Sequence, residues 1–193
     1  MTKHILIING HPDPSPERLS AALAEACAKG AAAGGHQVER IDVGWLQFPL
    51  IRSTADFMEG ELAPDIRRAQ EAVRRAEHLV IIHPLWLGTA PALMKGFFEQ
   101  VFRYGFALSS PGEGIKGLLA GRSARIIVTM GMPAAAFRLL FGAHGVKSFE
   151  GGILWIAGIK PVRHTFLGGI GPKADKKIRG WLAAVEEMGR KAQ

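Results

Sequence analysis

His78-Leu79-Val80-Ile81-Ile82-His83-Pro84-Leu85-Trp86-Leu87-Gly88-Thr89-Ala90-Pro91-Ala92-Leu93-Met94-Lys95-Gly96 changes character twice along its length. Its opening residues form a near-continuous apolar run, the pattern of a strand buried on both faces. Pro84 and Pro91 then bracket a bulky apolar loop, and Pro91 has the fixed φ that suits a first helical turn. Beyond it, Leu93, Phe97, Val101 and Phe102 recur at helical spacing and are expected to face inward. A doubly buried strand that hands over to a helix is one half of a βαβ unit.

The same alternation extends in both directions. Apolar strand-like runs are expected at His4–Asn9, Gln37–Val43, His78–His83, Ala124–Met130 and Lys160–Leu167. Helical patterns fill the gaps: 17–33 with Leu19, Ala22, Leu23 and Ala26 on one face, 64–76 with Ile66, Ala69 and Val73, and 147–157. A last helix over 173–188 presents Ile178, Trp181, Leu182, Val185 and Met188. This is an α/β chain with a parallel sheet covered on both sides. Neither a repeat nor a linker interrupts it, so residues 1–193 are expected to form a single domain. In such sheets ligands bind beyond the carboxyl ends of the strands, where strand order reverses. The segments after Asn9, His83 and Met130 are therefore where function is sought.

Composition narrows the classes. The 193 residues are 48% hydrophobic and 21% charged, which excludes disordered and fibrous chains. The net charge of +7 raises nucleic acid, acidic membrane or a phosphorylated small molecule as partners. The lone Cys27 excludes an intrachain disulfide framework and a cysteine zinc site, and its apolar setting reads as a buried, inert thiol. Met1–Asn9 reads as a short strand rather than a secretory leader. The longest apolar runs, such as 79–87, are too short to cross a bilayer. A cytoplasmic protein without an integral membrane segment is expected.

Each strand end carries its own chemistry. After the first strand comes Asn9-Gly10-His11-Pro12-Asp13-Pro14-Ser15-Pro16-Glu17-Arg18-Leu19-Ser20, a proline-fixed loop opening into a helix. The free N–H groups near Arg18 to Ser20 suit either a phosphate or an ordinary capped βα loop. There is no Gly-Lys-Ser/Thr, hence no Walker A loop, and the acidic pair of a phosphoacceptor domain is missing. Trp86 and Leu87 suit either a core loop or a wall for a flat ring. In Thr129-Met130-Gly131-Met132-Pro133, the glycine lets backbone N–H groups approach a ligand. Gly112-Glu113-Gly114-Ile115-Lys116-Gly117 fits G-x-G-x-x-G but follows a helix and a loop, so it reads as a surface loop. The histidines at 4, 11, 36, 78, 83, 144 and 164 show no metal-ligand spacing, so no metal is expected. His83 reads as structural, while His11 and His144 sit in glycine-flanked loops where a titrating group is useful. No G-x-S-x-G nucleophile motif is present.

Taken together, Gly10-His11-Pro12-Asp13-Pro14, the Pro84-to-Phe102 stretch with its Pro-Ala-Leu-Met-Lys-Gly helix start, and Thr129-Met130-Gly131-Met132-Pro133 resemble one family. It is the NAD(P)H:quinone oxidoreductase branch of the flavodoxin-like superfamily, including the bacterial potassium-efflux ancillary reductases. Gly142-Ala143-His144-Gly145 resembles its active-site histidine region. The resemblance implies a flavodoxin-like three-layer sandwich, a five-stranded parallel sheet in the order 2-1-3-4-5, and a homodimer with the site at the subunit interface. It implies bound FMN, with FAD possible, and NAD(P)H as co-substrate. His11, Arg18, Leu19 and Ser20 would meet the flavin phosphate. Pro84, Leu85, Trp86, Leu87 and Gly88 would lie along the ring, with Thr129, Met130, Gly131 and Met132 at its other edge. Catalysis would be ping-pong hydride transfer to a quinone or similar acceptor, with His144 as proton or hydrogen-bond donor.

Some positions depart from the family pattern. Phe137 and Phe141 occupy the region where the family places a tyrosine, and Leu87-Gly88 replaces part of an aromatic pair. The one tyrosine, Tyr104, lies past the third helix. Two other functions compete. A flavodoxin-type electron carrier would show a threonine-rich phosphate loop and an acidic surface, and both are missing. A regulatory or ancillary binding subunit would keep the fold with little or no reductase activity. The basic charge itself is local: residues 122–193 carry 12 basic and 4 acidic side chains. Without interleaved aromatics this is not a nucleic-acid stripe. Arg122, Arg125 and Arg138 are candidates to draw in the phosphates of a nicotinamide dinucleotide.

Overall fold

The computed structural model describes residues 1–110, 114, 116–172 and 174–193. Five strands form one sheet: β1 (His4–Asn9), β2 (Gln37–Asp42), β3 (His78–Pro84), β4 (Ser123–Met130) and β5 (Val162–Gly168). Their order is β2-β1-β3-β4-β5 and every pair is parallel. Seven α-helices accompany them among the described residues: α1 (Leu19–Ala33), α2 (Thr54–Glu59), α3 (Pro64–Arg75), α4 (Ala92–Val101), α5 (Ala134–Leu139), α6 (His144–Phe149) and α7 (Asp175–Arg190). This is the three-layer α/β sandwich expected from the alternation.

The pleat sorts the core into two halves. Ile5 and Ile7 of β1, Val80 and Ile82 of β3 and Ile127 of β4 pack with Leu23, Cys27 and Val185 under α1 and α7. Leu6 and Ile8, Leu79 and Ile81, and Ile126 and Val128 point the other way, into α3, α4 and the α5–α6 region. Both faces of the central strands are therefore dry, and their continuous apolar sequence follows from that. Cys27 is 1% exposed, and burial pushes its thiol up to about 12, so it is inert.

Four features depart from the expected pattern. The buried face of α1 runs through Ser20, Leu23, Ala24, Cys27 and Ala31, so Leu19, Ala22 and Ala26 are only half-buried. On α4, Met94 and Phe98 are fully buried and Leu93 is half-buried. The expected 147–157 helix starts earlier, at His144, and widens into a π-helical turn over Glu150–Trp155. Gly151 and Gly152 lie in that turn, where poor helix formers weaken α geometry. Short α2 and α5 were invisible to periodicity: six residues give too few repeats, and α2 buries none of its side chains. Of the glycine-rich 112–117 motif, Gly112, Glu113 and Ile115 lie outside the described residues, as does Lys173 before α7.

Phe98 organises the site side of the sheet. Its ring lies 5.0 Å from Phe149 and 5.2 Å from Phe102, each edge-to-face, so α4 is locked to α6. His78 (2% exposed) shares its Nδ1 with Ser123 Oγ at 2.8 Å, and His83 (1%) has its Nδ1 2.9 Å from the Pro84 carbonyl. Burial lowers both imidazoles to about 4.

Two predictions follow from this packing. The unfolded chain takes up protons on His78 and His83 below the ordinary value of 6.5, while the folded chain stays neutral until about 4. Stability is therefore full above pH 6.5 and falls as pH drops through that window, by about 3 kcal/mol per histidine at most. Urea unfolding across pH should show this decline, and His78→Gln should flatten part of it. Separately, a Cβ at Gly30 would sit 1.8 Å from the Glu186 carbonyl oxygen of α7, whereas one at Gly180 meets nothing within 4 Å. Gly30→Ala should cost about 1–3 kcal/mol and lower Tm. Gly180→Ala should raise stability by about 0.5–1 kcal/mol.

Candidate functional site

The register brings three strand ends together. Asn9 pairs with Ile82, and Pro84 with Thr129, so the loops after β1, β3 and β4 leave one edge of the sheet side by side. The first loop is rigid for a chemical reason. Buried Asn9 accepts the His11 N–H through Oδ1 (3.3 Å) and donates through Nδ2 to Asp42 (2.8 Å), which also holds Arg40 at 2.8 Å. His11 Nδ1 accepts the Asp13 N–H at 3.0 Å, leaving Nε2 as its outward atom. Burial lowers the His11 pKa against the opposing pull of Asp13. The Ser15 N–H, with help from Arg18, holds the Asp13 carboxyl below its ordinary range.

This geometry alters what the expected phosphate residues can offer. Arg18 folds back onto Asp13, with Nε at 2.7 Å and a second nitrogen at 2.6 Å, so its guanidinium is already engaged. It stands at the N-cap of α1 in extended conformation and supplies no side-chain cap. Among the described residues, the N–H groups of Leu19 and Ser20 find no acceptor. Ser20 Oγ is buried without a hydrogen-bond partner. An uncapped helix start with two free amides and an orphaned hydroxyl is suited to an anion.

The second loop is a tight reverse turn. Trp86 N–H donates to Thr89 O (2.9 Å) and Thr89 N–H to Trp86 O (3.0 Å), with Leu87 (φ 48°) and Gly88 (φ 82°) between them. Left-handed backbone is ordinary for glycine but strained for leucine. Leu87 is also fully exposed. Trp86, half exposed, stands edge-on to His11 with centroids 5.9 Å apart, joining the first loop to the second. Pro84 and Leu85 lie behind it, where the Leu85 N–H is taken by Thr129 O at 2.8 Å.

In the third loop, Thr129 and Met130 are strand residues, 5% and 4% exposed, and their side chains belong to the core. Gly169 and Ile170 occupy the carbonyls of Met132 and Met130. The Gly131 and Met132 N–H groups have no acceptor among the described residues. This turn therefore offers amides.

His144 opens α6 at the rim. Left-handed Ala143 (φ 51°) turns the chain, and the His144 ring covers Gly142 so closely that a Cβ there would lie 2.6 Å from Nε2. The neighbouring Gly145 presses on the Trp86 turn: its Cβ would fall 2.1 Å from the Gly88 oxygen. Phe137 is buried against Phe166 at 5.6 Å, and Phe141 is exposed. Neither ring has a polar atom to share with His144. Between the turn and α6 lies a cleft of about 540 Å³ walled by Trp86, Leu87, Thr89, Pro91, Phe149 and Ile153. A trough of about 640 Å³ continues past Lys95 and Gly152 toward Phe57 and Phe102.

The three candidate arginines separate. Arg122 donates to the carbonyls of Val73 (3.1 Å) and Arg74 (2.8 Å) at the end of α3, and buried Arg125 donates to Gln193 O and Thr165 Oγ1, both at 2.7 Å. Both are structural, and of the three only Arg138 is exposed without a recorded partner among the described residues. Asn9, Thr89 and Gly145 went unrecognised in the sequence. Only the Ala-His-Gly setting hints at Gly145, since a close approach between distant loops leaves no local pattern. No cluster of three or more His, Cys, Asp or Glu able to hold a metal occurs among the described residues.

Known proteins agree with this architecture. The chain is 31% identical over 152 residues to the guinea-pig (Cavia porcellus) NAD(P)H dehydrogenase [quinone] 1, covering 74% of this chain and 54% of that protein. The chain thus spans about half the length of the curated relatives it matches first. The structure of NAD(P)H:quinone oxidoreductase from Methanothermobacter marburgensis superposes with a TM-score of 0.80 at 26% identity, over 99% of this chain and 97% of that one. That of an FMN-dependent NADH-azoreductase from Bacillus anthracis, in complex with FMN, shares the fold at 19% identity, TM-score 0.72, over 100% of both. Matched to Flavodoxin_2 from residue 3 to residue 191, the chain belongs to that family of flavodoxin-like fold.

Proposed function

We propose that the chain is a flavin-dependent NAD(P)H oxidoreductase. The observation that carries this is the set of amides without acceptors in the loops after three adjoining strand ends, Leu19–Ser20, Leu87–Gly88 and Gly131–Met132, the second of which also walls the Trp86 cleft. The residues fit a flavin. Leu19 and Ser20 would bind its phosphate, with His11 beside them. Trp86 and the Pro84–Gly88 segment would flank the ring, and the Gly131 and Met132 amides would hold its far edge. FMN is the cofactor favoured, in keeping with the FMN-bound azoreductase; extraction from the purified protein distinguishes it from FAD. The guinea-pig and archaeal quinone reductases support NAD(P)H as donor and a quinone or similar compound as acceptor. We place this chemistry in the cytoplasm; no described helix is long and apolar enough to cross a membrane. A homodimer would seat its second copy on the trough beside exposed Trp155 and Ile156.

A bound flavin would supply the hydride-transfer chemistry of a ping-pong cycle between NAD(P)H and the acceptor. The protein supplies the rest. Phe149, Ile153 and Pro91 make the cleft apolar, and a flat substrate there is sandwiched rather than hydrated. The Gly131 and Met132 amides, which have no acceptor among the described residues, would stabilise negative charge on a bound ring without rearrangement. His144, next to Gly145 of the cleft wall, would donate a proton or a hydrogen bond to the acceptor oxygen. With Phe137 and Phe141 nearby, it works without a tyrosine partner.

Purified protein should carry visible flavin absorption that bleaches on mixing with NADH or NADPH in an anaerobic stopped-flow cell. Retention of flavin without bleaching by either would overturn the reductase function, and no retention at all would favour an ancillary binding subunit. His144→Ala should keep the flavin and lower kcat/KM for the acceptor by about 10²-fold or more. Ser20→Ala should weaken flavin binding roughly tenfold or more while leaving the apoprotein as stable or slightly more so, because it removes a buried hydroxyl that has no partner without the phosphate.

A further inference from the structure

Leu139, Leu140 and Phe141 follow one another at the end of α5 with exposures of 83%, 81% and 56%. Consecutive large apolar side chains on a surface loop mark a contact surface, because leaving them in water gains nothing for the fold. The chain binds this loop to the cleft. The His144 N–H donates to Phe141 O at 3.3 Å, the Ala143 N–H to Phe137 O at 3.2 Å, and Gly145 is pressed on the turn that carries Leu87. Leu87, strained and fully exposed, adds a fourth apolar tip.

Charge identifies the occupant. From 131 to 149 the chain has no acidic residue, and Arg138 and Lys147 are both exposed. Neither forms an ion pair with a described residue. The acid that follows, Glu150, is held by His164 at 3.0 Å. Apolar tips flanked by free cations are complementary to an anionic lipid surface, where side chains enter the acyl boundary and cations meet headgroups.

We propose that the Arg138–Phe141 loop, with Leu87 and Lys147, is a peripheral docking surface for an anionic bilayer, holding the mouth of the cleft against the lipid. Its binding does not depend on flavin chemistry. Only the corollary rests on the proposed activity: an acceptor dissolved in the bilayer would enter the cleft without crossing water.

Flotation of the full-length protein with vesicles tests this, comparing mixed phosphatidylglycerol–phosphatidylcholine vesicles with phosphatidylcholine alone. Partitioning should be at least about tenfold greater onto the anionic vesicles and should weaken as salt is raised. Arg138→Ala should lower it roughly fivefold. Leu139→Ser combined with Leu140→Ser should abolish it with the circular dichroism spectrum and flavin content unchanged. Equal flotation on both vesicle types, or none on either, overturns the proposal. So does a serine variant that changes the oligomeric state in sedimentation while lipid has no effect, since the loop would then be a protein–protein contact. The outcome is read from lipid binding alone, so it separates from any failure of the reductase assignment.

Discussion

Parallel pairing of β3 between β1 and β4 is the constraint on which the rest depends. It places the ends at Asn9, Pro84 and Met130 along one edge, and the chain leaves the sheet in opposite directions from β1 and β3. A gap opens where the order reverses, and three loops line it. None of those loops needs a binding motif of its own. The sheet does the assembling, and each loop needs only to keep its backbone amides uncommitted.

The helices serve the same end. Phe98, packed on Phe149 and Phe102, fixes α4 against α6, and α6 then leans on the Trp86 turn through Gly145. Gly10 lets β1 end beneath Met94, where any side chain would collide with the sulfur. Two of the three left-handed non-glycine residues, Leu87 and Ala143, lie at the rim, where the chain turns abruptly, and the third, Ala192, follows α7. A rigid core with a strained, open lip is a reasonable arrangement for a cleft that two substrates would use in turn.

Much of this was legible in the residues. Burial on both faces leaves an unmistakable apolar run at β1, β3 and β4, and Pro91 marks the helix after β3, whereas the half-exposed edge strands β2 and β5 are found by their place in the alternation. The three site segments follow from where the strands end, and the strand order and the family from the resemblance of the loop sequences. Side-chain duties were not legible. Arg18 looks like a phosphate ligand in sequence but is engaged by Asp13, and Arg122 and Arg125 are consumed by backbone carbonyls and Thr165. The Arg122 and Arg125 bonds join residues far apart in the chain, and the Arg18 bond depends on how the proline-fixed loop folds back, so periodicity carries no record of any of them. Short α2 and α5 escaped for the opposite reason, being too brief to repeat.

The central claim is that one flavin would engage all three strand ends at once. An NMR titration of ¹⁵N-labelled apoprotein with FMN tests it directly. The amides of Leu19, Ser20, Leu87, Gly88, Gly131 and Met132 should shift together along one binding curve. Shifts confined to a single loop, or separate curves for different loops, would contradict it.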